Sequence, residues 1–363
     1  MPGVATTPWL LSGDMQTLFP FLAFRPKPTV YLRRWVRVPL DSSNAKLRSV
    51  EGDFEAVAVD WAQGRGAPVT GPKVALVILS GLTGGSREGY MLDLVNSATA
   101  RGWDCFVVIG RGLASTPCHS GSVFHGARTS DFVAVAKAVR SFLPPKTTIC
   151  GVGLSMGAIL LCNAMCKGKT ENIIDAGVSI SACLDPCYNA DFSHSVDLWQ
   201  PFLVLGMKQN LLSTIKPFHH VISHLGENAV DILNGCSNVV DLDTHFFPAM
   251  NNFKGRDEFY ANSVPATQHY EDLRIPLLAV HAADDPIVHA DTHPRPGTED
   301  EGGNSFSKKG SNSSFISLVT TTGGHVGWPV GIFPWINRWV FQNSVTLEFC
   351  EAVHKVKTKA IKK

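Results

Sequence analysis

Five residues, Gly153-Leu154-Ser155-Met156-Gly157, separate an apolar run, Thr148 to Val152, from an apolar stretch of helical length, Ala158 to Met165. Strand, sharp turn and helix follow one another there, with a serine at the apex. The glycine spacing has a steric reason: the apex residue takes a strained conformation, and only small residues two before and two after it let strand and helix approach closely. A three-position pattern alone arises by chance in long chains. The strand before it and the helix after it are the context that gives it meaning, so Ser155 is expected to stand exposed above the end of a sheet.

A serine nucleophile in this setting needs an acid and then a histidine downstream, each at the end of a strand. The buried-strand run Ile275 to His281 leads into Ala282-Ala283-Asp284-Asp285-Pro286-Ile287-Val288, and a second run, Phe315 to Thr320, leads into Thr321-Thr322-Gly323-Gly324-His325. The expected triad is Ser155, Asp285 and His325. Asp285 is preferred as the acid, whereas Asp284 reads as a residue that faces solvent or caps the turn. His281 falls mid-strand and reads as a core residue, His289 lies too close behind the acid, and His293 sits in a polar stretch. Donors for an oxyanion are expected from the N–H of Met156, after the nucleophile, and from Leu82, with Thr83 as the alternative. The latter pair belongs to Gly81-Leu82-Thr83-Gly84-Gly85-Ser86, which follows the apolar run Val74 to Ser80. That loop lacks the lysine and hydroxyl residue of a phosphate cradle, which argues against a nucleotide site.

Strand and helix patterns alternate along most of the chain. Short strands are expected at Lys46–Ser49 and Glu55–Trp61, then at Val74–Ser80, Cys105–Ile109 and Ala176–Ser181, with helices near Glu88–Arg101 and Asp131–Phe142. Such alternation predicts a single α/β domain over 1–363, with a mostly parallel sheet covered by helices on both faces. The rhythm stops between Asp185 and Asp272. There Phe202–Met207, a histidine-bearing stretch with His219, His220 and His224, and Ala229–Leu233 read as helices. Residues 186–272 are expected to form an inserted cap over the site that provides an apolar channel, the alternative being ordinary packing helices. The polar stretch 291–314 is expected to be a flexible loop.

Near the amino terminus, Gly13-Asp14-Met15-Gln16-Thr17-Leu18 resembles the G-x-x-Q-T-L entry segment of the α/β-hydrolase lipases called ABHD in animals and embryogenesis-associated-protein-like in plants. Val59-Asp60-Trp61, Gly81-Leu82-Thr83-Gly84, Arg111-Gly112, the Ser155 pentapeptide, Asp284-Asp285-Pro286 and Gly323-Gly324-His325 agree with that family, from about Gly13 to Val353. The resemblance implies an α/β-hydrolase fold and a lipase or esterase that cleaves carboxylic esters, often of acylglycerols or phospholipids, through an acyl-enzyme and without metal or organic cofactor. Some relatives pass the acyl group to an alcohol, so an acyltransferase is the alternative; a non-catalytic binding protein is a further one. The chain departs from the family at Ser80, where a histidine often precedes the glycine, at Met156 in place of leucine, and in the long 291–314 stretch.

With 363 residues, 44% hydrophobic and 17% charged, the chain is long enough to bury a large core. A formal net charge of +1 argues against nucleic acid as a partner. The lysine-rich tail, Lys355 to Lys363, reads as a solvated end, with anionic membrane as its alternative contact. Nine cysteines without a signal peptide point to reduced thiols in the cytoplasm, and the i,i+4 pairs Cys162/Cys166 and Cys183/Cys187 read as small buried hydrophobes rather than a metal site. No apolar run reaches the ~20 residues that span a bilayer, so contact with membrane is expected to be peripheral. The partner expected is a lipid or small ester substrate; oligomeric state is not legible in the sequence.

Overall fold

The computed structural model describes residues 6–39, 54–66, 73–118, 123–215, 228–251, 253–263, 273–292 and 314–361. Eight strands form one sheet: β1 (Leu32–Pro39), β2 (Phe54–Ala62), β3 (Val74–Leu79), β4 (Asp104–Ile109), β5 (Thr148–Leu154), β6 (Ala176–Ile180), β7 (Leu277–Ala282) and β8 (Phe315–Thr320). Their spatial order is β1-β2-β4-β3-β5-β6-β7-β8. β1 and β2, and β2 and β4, pair antiparallel; every pairing from β4 through β8 is parallel. Every residue of β3 and β5 is buried, as expected of central strands packed on both faces.

Helices α1 (Gly13–Ala23), α2 (Gly89–Ala100), α3 (Ser130–Phe142) and α4 (Met156–Cys166) precede β6. Between β6 and β7 come α5 (Pro186–Asn189), α6 (Gln200–Ile215), α7 (Ala229–Gly235), α8 (Val239–Asp241), α9 (Phe247–Met250) and α10 (Arg256–Ser263); α11 (Pro334–Asn337) and α12 (Val340–Ile361) follow β8. One core cluster joins α2 and α12 to one sheet face through Met91, Leu94, Val95, Leu347 and Cys350. A second joins α3 and α4 to the other face through Phe132, Val135, Leu160 and Leu161. The helices between β6 and β7 have a third cluster of their own, around Val204, Leu233, Phe246, Phe247 and Phe259.

Two elements were not legible as such in the sequence. The arm before the sheet contains α1, which Ser12 caps by accepting the N–H of Met15, and the strand beside β2 is β1, at Leu32–Pro39. The strand expected at Lys46–Ser49, His219, His220, His224 and His293 lie outside the described residues, as do parts of 186–272 and most of 291–314. The lysine-rich tail continues α12 through Ile361. It is not simply a solvated end, because Lys357 Nζ lies 2.7 Å from Asp175 Oδ1 and donates to the Thr147 carbonyl. All nine cysteines are free thiols; Cys162 and Cys166 are buried, whereas Cys187 is exposed, so the pair Cys183/Cys187 is not a buried one.

Backbone packs closely against backbone at the β5–α4 turn. A Cβ on Gly157 would fall 2.5 Å from the carbonyl oxygens of Leu79 and Ser80, and one on Gly153 would fall 2.4 Å from the Gly157 carbonyl. Gly157→Ala is therefore expected to lower stability by about 1–3 kcal/mol, the usual penalty for overpacking. Urea denaturation measures this, and a variant as stable as the parent would contradict the packing.

Candidate active site

Ser155 ends β5 and begins α4 with φ 53° and ψ −120°, a conformation that costs a non-glycine residue about 1–3 kcal/mol. Its own N–H donates to the Ile180 carbonyl, so β6 holds the strained residue in place. The turn aims the side chain out of the sheet edge, where Ser155 Oγ lies 2.8 Å from His325 Nε2. On the far side of the ring, Nδ1 lies 2.8 Å from Asp285 Oδ2. An ionised carboxylate only accepts, so the proton sits on Nδ1 and leaves Nε2 free to accept the serine hydroxyl proton. The Asp285 side chain is fully buried, and its other oxygen accepts the N–H groups of Ile287 and Val288 at 2.8 and 2.9 Å. Burial thus comes with a full set of donors.

Asp284 does something different. Its Oδ1 accepts the Gly324 N–H at 2.9 Å, tying the end of β7 to the histidine loop, and burial raises its carboxyl above the usual range. It neither faces solvent freely nor reaches the imidazole; it braces the loop that bears it. That loop is held from a third side by α1. The Thr17 hydroxyl accepts the His325 N–H at 2.8 Å and donates to the Gly13 carbonyl. A Cβ on Gly13 would fall 1.6 Å from the Asp284 carbonyl oxygen, and Gly324, at φ 63°, leaves room for none against the Gly13 carbonyl. The entry motif around Gln16-Thr17 is therefore part of the site's support, although it lies 308 positions from His325 in sequence.

The loop after β3 borders the same cavity with Leu82 and Thr83, and Met156 borders it from the start of α4. Behind the loop the Tyr90 hydroxyl accepts the Gly81 N–H at 3.0 Å, and burial pushes its ionisation far up. A phenol from α2 thus supports the backbone of this loop beside Ser80. Farther along, Ser86 donates to Asp60, which also takes a two-pronged ion pair from Arg33 at 2.7 and 2.9 Å. This assigns a structural purpose to the Val59-Asp60-Trp61 block. Sequence inspection singled out Ser155, Asp285 and His325 because each follows a strand; it did not single out Thr17, Tyr90 or Asp284 as supports because no local pattern marks them.

Above Ser155 lies a cavity of about 360 Å³, within the range that accepts a small organic ligand. Its walls include Leu18 and Phe21 from α1 and Phe202, Leu203, Val239 and Phe259 from the helices between β6 and β7. Gly206 of α6 packs close to Thr83, with room for a Cβ only 3.2 Å from its side chain. His281, in β7, is buried and borders none of this. Among the described residues no cluster of three or more His, Cys, Asp or Glu side chains is arranged to hold a metal.

The sheet order and the helices on both of its faces are those of the α/β-hydrolase fold. Over 91% of this chain and 98% of the other, the fold superposes on an esterase from Pyrococcus furiosus with a TM-score of 0.51 at 14% identity. No family model matches the sequence. Its curated relatives include proteins named ABHD3 and ABHD2. It is 23% identical to human phospholipase ABHD3, covering 96% of this chain and 78% of that protein. It is 28% identical to the monoacylglycerol lipase of Saccharomyces cerevisiae and to protein abhd-3.2 of Caenorhabditis elegans, over 70% and 64% of this chain. The chain spans 55% of the yeast protein and 60% of the nematode one.

Replacing Thr17 with Val removes the acceptor of a buried N–H while keeping the side-chain shape. The expected loss of stability is about 1–3 kcal/mol, read by chemical denaturation. A change within about 0.5 kcal/mol, typical of neutral surface sites, would show that water or another group replaces the hydroxyl.

Proposed function

We propose that this protein is a serine hydrolase of carboxylic esters, acting on acylglycerol or phospholipid acyl esters through an acyl-enzyme on Ser155. The observation that carries the reading is the unbroken line of contacts from Asp285 through His325 to Ser155 beneath an apolar cavity. The names of the relatives, phospholipase and monoacylglycerol lipase, support the lipid class.

In this mechanism Ser155 Oγ attacks the ester carbonyl as Nε2 of His325 takes its proton, and Asp285 stabilises the resulting imidazolium. The carbonyl oxygen becomes an oxyanion, for which the N–H groups of Leu82 and Met156 are the donors. When the intermediate collapses, the carbon–oxygen bond to the alcohol breaks and His325 returns the proton to the leaving oxygen. Water then adds by the same route and frees the acid and Ser155. The helices between β6 and β7 act as the cap in this reading, giving the acyl chain an apolar channel and keeping bulk water from the acyl-enzyme.

Substrate reaches such a site from a lipid surface. Helix α1 turns its polar residues Gln16 and Thr17 inward and leaves Leu18, Phe21 and Leu22 exposed, while Phe202 of α6 is 69% exposed. Leu18, Phe21 and Phe202 also line the cavity. An apolar rim continuous with the cavity suits peripheral contact with a membrane; no helix among the described residues is long and apolar enough to cross one.

The chemistry is tested with active-site variants. Ser155→Ala is expected to abolish both ester turnover and labelling by a fluorophosphonate, and Asp285→Asn to cut turnover by about 10⁴, the loss seen when a triad acid is neutralised. Asp284→Asn should lose much less. In the parent, kcat/KM for p-nitrophenyl esters should climb with chain length, by up to ~0.8 kcal/mol per buried CH₂. Full turnover by Ser155→Ala would end the covalent reading, and a maximum at acetate would end the lipid one.

The rim is tested by co-sedimentation with phosphatidylcholine vesicles. The parent is expected to bind and Phe21→Asp/Phe202→Asp to lose most of that binding. Equal sedimentation of both proteins would reject this face as the contact.

A further inference from the structure

The cavity wall opposite the sheet carries a carboxyl and a phenol that the hydrolytic steps do not use. Asp243 follows α8 and Tyr260 lies on α10, and both side chains border the cavity. Tyr260 Oη donates to Asp243 Oδ2 at 3.0 Å. Among the described residues no donor reaches Asp243 Oδ1. Enclosed by protein except toward the cavity, the carboxyl is pushed up to about 7 by burial, against the hydrogen bond of Tyr260 and the charge of Arg256. A carboxyl kept in such a place is costly unless something pairs with it.

Three observations define the ligand. In the ionised form of Asp243 the free oxygen is an acceptor, so the ligand is a hydrogen-bond donor. The guanidinium of Arg256, 5.9 Å from the Tyr260 ring, already offsets the carboxyl charge and repels a second cation, so a neutral donor is favoured over an ammonium headgroup. Position comes from packing: α10, which bears Tyr260, packs against α4, the helix that begins at Met156, and against α5, whose Asn189 donates to the Ile287 carbonyl two residues after the triad acid. The pair thus sits beside the elements that hold the triad. A group near the triad is one attached close to the scissile bond.

We infer that Asp243 and Tyr260 form a hydroxyl-binding subsite for the alcohol half of the substrate, which selects monoesters of a polyol such as glycerol over esters with no free hydroxyl. The substrate O–H donates to Asp243 Oδ1, and Tyr260 is a positioning residue that fixes the carboxyl plane through Oδ2. This deepens the hydrolase reading above and rests on it only for the word substrate, because the subsite binds a polyol monoester whether or not it is cleaved.

Two measurements test it. In the first, kcat/KM is compared for monolauroylglycerol and methyl laurate, which share an acyl chain and differ in the free hydroxyls. Asp243→Leu and Tyr260→Phe are each expected to lower the ratio of the two values about tenfold, the worth of one hydrogen bond to a charged group, and mainly through KM. A methyl ester of an ω-hydroxylated laurate, whose hydroxyl is at the far end of the chain, should be no better than methyl laurate. An unchanged ratio in both variants, or a selective loss on the ω-hydroxy ester, overturns the assignment.

The second measurement needs no turnover. Lauryl glyceryl ether, which cannot be hydrolysed, is titrated into the protein while the fluorescence of Trp199, on the cavity wall, is followed. It should bind about tenfold more tightly than lauryl methyl ether, and Tyr260→Phe and Asp243→Leu should erase that difference. If the parent cleaves no ester but shows this preference, the hydrolase reading fails and the subsite stands. If it cleaves esters yet binds both ethers alike, the subsite fails and the hydrolase reading stands.

Discussion

Main chain meets main chain where β5 passes into α4, with no space for even a methyl group at Gly153 or Gly157. Much of the site follows from that contact. It brings the first turn of α4 against the end of β3, so that the serine turn and the loop bearing Leu82 share one edge of the sheet. It also leaves Ser155 with a positive φ that its neighbours must hold. The sheet order adds a second reason for the location. The chain leaves β3 toward β4 and leaves its neighbour β5 toward β6, in opposite directions, and the crevice outside such a switch point is where open α/β sheets bind ligands.

The histidine side of the site is assembled from farther away. Asp284 holds the Gly324 N–H, Thr17 holds the His325 N–H, and Ser181 holds the Val326 N–H at 3.1 Å. Trp328 and Trp339 anchor the same loop by donating to Thr320 and to the Val326 carbonyl. Three successive N–H groups thus find acceptors on three different elements. A loop with positive φ at Gly324, Val326 and Trp328 is held by these bonds and not by its own conformational preference.

Helix α1 links the support to the entrance. Its inward face carries Gln16 and Thr17, which meet loop ends where backbone groups need partners, beside Phe19 and Pro20, while Met15, Leu18, Phe21 and Leu22 are left outside. Asp14 extends the link by accepting from Trp199 Nε1 at 2.7 Å and contacting His194 at 2.9 Å, which ties α1 to the segment leading into α6. The helix that steadies His325 is therefore also one edge of the cavity mouth.

The sequence alone marked the strands that end in Ser155, Asp285 and His325, the helix after the serine, and the mostly parallel sheet, because each rests on local periodicity or on sterics within a few residues. It also marked Leu82 and Met156 by their place beside strand ends. Tertiary structure decided the rest: that Asp284 braces a loop, that Tyr90 stands behind Gly81, that Thr17 reaches His325, and that Asp243 and Tyr260 meet on the cavity wall. Those pairs are joined by hydrogen bonds between residues with no shared local pattern, and burial, not periodicity, requires each donor and acceptor to find its partner. The same holds for α1, whose outward apolar face inverts the usual rule, since what a helix buries is set by the surface it meets and only the meeting reveals which side that is.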